Sequence, residues 1–169
     1  NSTAAAGKWY SAKHSADAAP TNANVWSNYN EYDQEAGFLA GFSANFRAAL
    51  LDTTHTVGKS STDGGGTETC VDKIFFASCT EVGLSGDATC GTKLALFSDN
   101  NSRLAYPTAE CVSKSEYTNN NFAASKAWYW WLCDAYASSS YNVRRVASSG
   151  ALSRAYSGDG GVRPLCNLS

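Results

Sequence analysis

The chain has 169 residues, of which 43% are hydrophobic, 12% are aromatic and 17% are charged, and its formal net charge is −2. This balance is typical of one globular domain that is large enough to bury a core. It argues against nucleic acid as a partner, because no basic stripe is present to neutralise phosphates. No run of about 18 apolar residues occurs, so we predict no membrane insertion.

The beginning of the chain divides into a polar segment and a helix. Residues 1–29 are rich in Ala, Ser and Asn and start without Met, which predicts an N-terminal segment or a linker to a larger protein. Residues 30–169 are predicted to form one domain. Apolar residues recur every three or four positions from Tyr32 to Leu50, which predicts a helix. Its predicted core residues are Phe38, Leu39, Phe42 and Phe46.

A glycine-rich segment follows the helix. Residues 52–69 are rich in Thr, Ser and Gly, and we predict a flexible surface loop there. The run Asp63-Gly64-Gly65-Gly66 resembles a phosphate-binding loop only in its glycines. Since no Lys-Ser or Lys-Thr pair follows it, no nucleotide site is predicted.

Short apolar runs in the rest of the chain predict strands. These runs are, in chain order, Val71–Ser78, Leu94–Phe97, Ala127–Leu132, Val143–Val146, Ala151-Leu152 and a terminal segment that ends at Leu165. Turn-forming residues separate them, among them Asp99–Arg103 and Ser148-Ser149-Gly150. An early helix followed by late strands predicts an α+β fold.

The run Trp128-Tyr129-Trp130-Trp131 is predicted to be part of a central strand. Side chains alternate along a strand, so Trp128 and Trp130 would face one side, and Tyr129 and Trp131 the other. The segment that follows, from Cys133 to Gly161, is rich in Ser, Tyr, Asn and Arg. Tyrosine with small polar residues is typical of recognition surfaces, although an ordinary serine-rich loop has the same composition.

Six cysteines lie at positions 70, 79, 90, 111, 133 and 166. They could form disulfides or serve as small buried thiols. Cys70 and Cys90 flank a predicted hairpin, and Cys133 and Cys166 bracket the C-terminal segment, so these are the two pairs we expect if disulfides form. No metal site is predicted, because no C-x-x-C motif occurs and the two histidines lie far from the cysteines in sequence.

Several motifs in series resemble a bacterial domain family that ends in a WWLR…GVRPAL signature. They are Trp130-Trp131-Leu132, residues 143–152 (VRRVASSGAL) and Gly161-Val162-Arg163-Pro164-Leu165. Upstream, residues 72–82 (DKIFFASCTEV) are similar to the family's D-K-(I/V)-F-x-L-S-x-x-E-V strand. The resemblance runs from about residue 30 to residue 168. This family is similar to proteins with a C-type-lectin fold, including the variable proteins of diversity-generating retroelements.

The resemblance implies a C-type-lectin-like fold, with an early helix or helices, a short and mostly antiparallel sheet and long loops. It implies a ligand-binding display domain on a virion or an extracellular or cell surface, with a C-terminal face that adenine-targeted mutagenesis diversifies. The partner would be a protein or glycan on a host or neighbouring cell, and a homo-oligomer within a larger assembly is compatible with that role.

The resemblance also implies roles for single residues. Trp130, Trp131 and Arg163 would be scaffold, with Arg163 tying backbone carbonyls at the end of the fold. The predicted ligand-binding residues are Asp134, Tyr136, Ser138, Ser139, Tyr141, Asn142, Arg144, Ser148, Ser153, Arg154, Tyr156, Ser157 and Asp159.

The chain departs from the family in two respects. Cys133 stands where the family usually has Arg, and Cys166 has no counterpart, which suggests a covalent tie between the aromatic strand and the terminal strand. The lectin calcium motifs E-P-N and W-N-D are absent, and the acidic residues of the segment from Cys133 to Gly161 are limited to Asp134 and Asp159. Neither Ca²⁺ nor another cofactor is therefore predicted.

Two other functions remain open. The first is a structural decoration or tail component of a virion that has no ligand of its own. The second is an enzyme like the formylglycine-generating oxidases, which have a related fold and use cysteines near the C-terminus; Cys133 and Cys166 would be the candidates. Since no Ser-His-Asp set or other acid–base partners accompany them, we predict that the chain is not an enzyme.

Overall fold

A computed structural model describes residues 42–115, 121–139, 141–156 and 160–169. Within these ranges the fold is α+β, as predicted, with short helices and small antiparallel sheets. The helices are α1 (Ala44–Ala49) and α2 (Ala109–Lys114), and 3-10 turns lie at Ser61–Asp63 and Asn101–Arg103. The strands are β1 (Thr53–Gly58), β2 (Thr67–Asp72), β3 (Phe75–Phe76), β4 (Trp130–Ala135), β5 (Val143–Val146), β6 (Leu152–Ala155) and β7 (Pro164–Leu165).

Helix α1 is the C-terminal end of the helix predicted from Tyr32 to Leu50. It begins where the Ser43 hydroxyl accepts a hydrogen bond from the Phe46 backbone N–H at 3.3 Å, and it ends at Leu50, whose backbone is extended. Phe42 and Phe46 contact each other with ring centroids 5.0 Å apart but are only half-buried, outside the buried core cluster. Phe38 and Leu39, like the segment 1–29, lie outside the described residues.

The prediction of a flexible loop over residues 52–69 was wrong. Strand β1 occupies Thr53–Gly58 and pairs with β2 in an antiparallel hairpin, in which His55 lies opposite Cys70. The β-branched residues Thr53, Thr54, Thr56 and Val57 favour this extended backbone. The glycine run does form the turn, because Gly64, Gly65 and Gly66 all have positive φ angles.

The predicted single strand Val71–Ser78 is broken in two. Strand β2 ends at Asp72, and β3 pairs with the terminal strand β7 instead of with β1. At the break, the Lys73 ammonium donates to the Leu50 carbonyl at 3.0 Å and lies 3.3 Å from the Asp52 carboxylate. These contacts hold the junction between the two sheets. The apolar run Leu94–Phe97 is a turn, not a strand, although Phe97 is fully buried.

The sheet β4-β5-β6 confirms the predicted alternation of the aromatic run. Trp128, Trp130 and Leu132 are buried, whereas Tyr129 and Trp131 are partly exposed on the other face. There the Arg145 guanidinium lies over both rings, 4.0 Å from the centroid of Tyr129 and 5.7 Å from that of Trp131. Trp130 thus packs in the core and Trp131 packs on the opposite face of the sheet, and the scaffold role of both stays a prediction.

The core lies beneath this sheet. Its members are apolar side chains from β4, β5 and the segments that cross below them: Ala77, Cys79, Val82, Phe97, Trp130, Leu132 and Val146. In the described parts of the chain, no helix is long and apolar enough to cross a membrane.

Arg103 ties the connecting segments to this core. It is buried, its Nε donates to the Gly150 carbonyl at 2.8 Å, one terminal nitrogen donates to the Val82 carbonyl at 3.1 Å, and the other donates to the Asn100 side chain. Its own carbonyl accepts from the Trp130 indole at 2.9 Å. Arg103 thus has the role of binding backbone carbonyls that was predicted for another arginine.

Arg163 binds fewer backbone carbonyls than Arg103 does. It is half-buried over the rings of Phe97 and Trp130, 5.0 Å from each centroid, and donates to one carbonyl, that of Arg103, at 3.5 Å. Its contacts are mainly with aromatic rings, and its predicted scaffold role stays a prediction.

Gly150 is a position where the fold admits no side chain. Its φ is +80°, and a Cβ there would lie 2.1 Å from the backbone oxygen of Asn100. We expect Gly150→Ala to lower the free energy of unfolding by more than about 3 kcal/mol, because backbone strain and a backbone clash add. Gly66→Ala is the matched control: its φ is +71° but nothing lies within 4 Å of the added Cβ. It should cost about 1 kcal/mol, the strain alone. Urea unfolding measures both, and equal losses would contradict the packing argument.

Candidate binding surface

The loop from Tyr136 to Asn142 connects β4 to β5, and we call it the tip loop; residue 140 within it lies outside the described residues. Its ends are joined by a hydrogen bond from Tyr136 N to Asn142 O of 3.0 Å. The Ser139 hydroxyl accepts from Asn142 Nδ2 at 2.9 Å and from Tyr141 N at 3.3 Å. Ser139 is buried, so Ser139 and Asn142 shape the loop from within.

Asp134 fixes the base of the tip loop. It is 2% exposed, and its two carboxylate oxygens accept from the Gly58 N–H at 2.9 Å and the Cys79 N–H at 2.5 Å. Hydrogen bonds to a carboxylate are stronger than those between neutral groups, and they compensate for burial of the charge. Asp134 was predicted to bind ligand, but the structure places it in the interior, away from any surface a ligand could reach.

Tyr136 lies between two guanidinium groups. Arg144 and Arg154 are opposite each other on β5 and β6, and their guanidinium carbons lie 4.5 and 4.2 Å from the centroid of the Tyr136 ring. Asp87 holds Arg144 in place through its Oδ2, which is 2.8 Å from Nε and 2.5 Å from a terminal nitrogen. This stack therefore holds two guanidinium groups around one ring. Arg154 is exposed at its edge.

Two exposed tyrosines lie at the same end of the sheet, because Tyr156 follows Arg154 by two residues and Tyr141 belongs to the tip loop. Tyr141 is 68% exposed and Tyr156 is 77% exposed, yet their rings pack edge to face with centroids 5.9 Å apart. Such a pair presents a large amphipathic area with few rotatable bonds. Tyr136, Tyr141, Arg144, Arg154 and Tyr156, which we call the tip surface, are the predicted site residues that the structure brings together.

The remaining predicted site residues are distributed elsewhere. Ser138 is exposed on the tip loop, whereas Ser148 is exposed in the turn between β5 and β6, at the other end of these strands. Ser153 lies opposite Arg145, on the other face of the sheet from Arg144 and Arg154. Ser157 and Asp159 lie outside the described residues.

Asp87 is a residue of this candidate surface that the sequence did not indicate. It precedes Arg144 by 57 residues and also accepts from the Ala137 N–H at 3.3 Å. A single Gly-Asp pair in a polar loop carries no pattern that indicates such a long-range contact. Only the three-dimensional arrangement of β4 and β5 reveals it.

The cysteines are free in the structure, so neither expected disulfide is formed. The backbone N–H of Cys133 donates to the Ala77 carbonyl, and Leu165, the residue before Cys166, pairs with Phe75. The two cysteines therefore lie beside different positions of the segment from Phe75 to Ala77. Burial and the Asp134 carboxylate raise the pKa of the Cys133 thiol, and the same two causes raise that of Cys90 to about 12. Raised pKa values disfavour the thiolate, so these positions lack the environment of a reactive cysteine.

The chain belongs to the family of a domain of unknown function, DUF6273, whose model matches residues 7–169. Comparison with curated proteins gives no match, and comparison with solved structures gives none either.

Thiol labelling tests the cysteine environments. In the native protein at neutral pH we expect Cys166, which is exposed, to react fast, the half-buried Cys111 to react more slowly, and the four other cysteines to stay unlabelled. Burial protects Cys70, Cys79 and Cys90, Cys133 is half-buried like Cys111, and raised pKa values keep all four thiols protonated. Mass spectrometry after alkylation gives the sites.

In denaturant without reductant, all six thiols should label, since none is bonded in the structure. If Cys133 labels as fast as Cys166, its thiol is not protected, and this result would support the oxidase hypothesis. Fewer than six labels in denaturant would mean that disulfides form.

Proposed function

We propose that this chain is a ligand-binding display domain with a C-type-lectin-like fold, which recognises a protein or glycan from a virion, extracellular or cell surface. One observation carries the proposal: the exposed rings of Tyr141, on the tip loop, and Tyr156, two residues beyond Arg154, pack against each other at the end of the sheet where Arg144 and Arg154 flank the Tyr136 ring. Exposed aromatic rings that cluster beside an arginine are typical of surfaces that bind a partner.

The chemistry of the tip surface narrows the ligand class. Tyr141 and Tyr156 offer apolar ring faces with hydroxyl groups, which suit either a sugar ring or an apolar side chain. Arg154, which is exposed, adds a fork-shaped donor that matches carboxylate, sulfate or phosphate groups, whereas Arg144 is paired with Asp87. We therefore favour an acidic glycan or an acidic protein epitope over a neutral ligand.

The lectin-like fold is proposed from the signature motifs and is supported by how they pack. Trp130 pairs with Val146 on β5 and forms a parallel bridge with Gly161, so the three C-terminal motifs meet around one tryptophan. A signature whose parts contact one another is expected of a fold-defining core. The early helix and the short antiparallel sheets are compatible with this proposal.

We also propose that the tip surface is diversified by a retroelement, as in the variable proteins that the sequence resembles. Substitutions among sibling strains should then concentrate at exposed positions, namely Ser138, Tyr141, Arg154 and Tyr156. Asp134, Ser139 and Gly160 should stay constant, because each is buried and packed. Sequencing the locus across strains, with a search for a reverse transcriptase gene and a template repeat nearby, tests this. Differences spread evenly over the chain would contradict it.

Binding by the tip surface can be tested with paired tyrosine variants. We expect the labelled domain to bind a subset of an array of acidic and neutral glycans or a panel of bacterial cells, and Tyr141→Ala/Tyr156→Ala to lose at least about tenfold in affinity. The loss follows from removal of both ring faces. Tyr106→Ala is the matched control, because Tyr106 is also exposed (57%) but lies outside the tip surface.

Retention of binding by the double variant, or an equal loss in Tyr106→Ala, would contradict the proposed surface. Correct assembly of the parent particle without any binding would favour the structural role instead. Circular dichroism of each variant verifies that the fold is intact.

A further inference from the structure

The β1–β2 hairpin brings together three side chains that can bind a metal ion. His55 lies directly opposite Cys70 in the strand register, and Asp72 follows Cys70 by two residues, so all three project from one face of the hairpin. One ligand atom from each residue lies within 4.8 Å of the other two, and His55 Nε2 is 2.9 Å from Asp72 Oδ2. Histidine and cysteine, which are 15 positions apart in sequence, are thus neighbours in space.

The hairpin holds these groups in place. The side chains of His55 and Asp72 are 9% and 15% exposed, and Cys70 is buried. The Phe75 ring stacks on the imidazole with centroids 4.6 Å apart and an interplanar angle of 18°, which limits rotation of the ring. Since the three residues sit on two paired strands, their backbones are already positioned before any ion arrives. Such preorganisation lowers the entropic cost of binding.

The donor set indicates which ion would bind. Imidazole nitrogen, thiolate sulfur and carboxylate oxygen are the ligands of Zn²⁺, and three protein ligands with a fourth position left to water or an outside ligand form a common zinc site. In a tetrahedral site with bonds of ~2.0 Å to N and O and ~2.3 Å to S, donor atoms lie about 3.3–3.7 Å apart. Side-chain movements of about an ångström would bring the ligand atoms of His55, Cys70 and Asp72, which now lie within 4.8 Å of one another, into that range.

The electrostatic setting also favours a cation. Burial, Asp72 and Glu68 together raise the pKa of the Cys70 thiol to about 11. The carboxylates that disfavour a second negative charge would attract a divalent ion, and an ion bound between them would displace the thiol proton. A simpler role exists for the same residues: a cross-strand His–Asp hydrogen bond beside a small buried thiol. The two roles differ in what happens when metal is added.

We propose that His55, Cys70 and Asp72 form a binding site for Zn²⁺ or a similar transition-metal ion on the β1–β2 hairpin. The site is separate from the tip surface and does not depend on the display function. It contradicts the sequence-based expectation of no metal, which relied on distance along the chain.

The test uses the reduced full chain after removal of metals by a chelator. Co²⁺, which substitutes for Zn²⁺, should bind one to one and give the near-ultraviolet charge-transfer band of a thiolate ligand, and added Zn²⁺ should abolish that band. Saturating Zn²⁺ should raise the midpoint of thermal unfolding, because the ion binds the folded state. Cys70→Ser should lose the charge-transfer band. His55→Gln and Asp72→Asn should each weaken Zn²⁺ binding by more than about tenfold, since even outer-shell partners contribute that much.

Cys111→Ser is the matched control, as it removes a thiol that lies far along the chain on helix α2 and should leave binding unchanged. No charge-transfer band in the unaltered chain, or a band that survives Cys70→Ser, would overturn the proposal. If Cys70→Ser does not fold by circular dichroism, His55→Gln decides: unchanged Zn²⁺ affinity in that variant overturns the site as well.

Discussion

The buried carboxylate of Asp134 is the contact on which the geometry of the surface depends. Asp134 lies near the end of the central strand β4. It accepts from Gly58, at the end of β1 and 76 positions earlier in sequence, and from Cys79, 55 positions earlier. An apolar residue at this position would leave two backbone N–H groups buried without acceptors, each of which costs about 1–3 kcal/mol. Gly58 is part of the same constraint, because an added Cβ would lie 3.2 Å from the carboxylate oxygen. The interior of the fold therefore determines where the tip loop begins.

The same carboxylate influences the sulfur chemistry around it. Its charge raises the pKa of the buried Cys79 and Cys90 and of the half-buried Cys133. One buried acid thus contributes to two properties, the position of the loop and the inertness of the thiols. Arg103 plays a complementary role, because its buried cation donates to the carbonyls of Val82 and Gly150. Both are charged groups fully supplied with partners, which is the condition for their burial.

Sequence patterns predicted those parts of the fold that depend on neighbouring residues, namely the alternation of side chains in a strand and the position of a turn. Alternation placed Trp130 in the core and Trp131 on the opposite face, and turn chemistry placed the bend at Gly150. The hairpin β1–β2 was missed because its threonines are common in loops and its register is set by the partner strand. The composition of the C-terminal segment indicated the tip surface but could not separate Tyr141, which is exposed, from Ser139, which is buried. That separation depends on hydrogen bonds that form only once the loop closes.

Gly160 lies where the chain returns from β6 to the central strand β4. A Cβ at this position would lie 2.3 Å from the Trp131 indole nitrogen, so the ring of the central strand fills the space that a side chain would need. Between Asp134 and Gly160 the chain returns to the core at Val146 and packs closely again at Gly150. The part that can change in length is therefore the tip loop, whose two ends the Tyr136–Asn142 hydrogen bond joins. The entropic cost of a longer closed loop grows only slowly, by about 0.6 kcal/mol for each doubling of its length. The tip loop can therefore accept insertions at little cost to the stability of the fold.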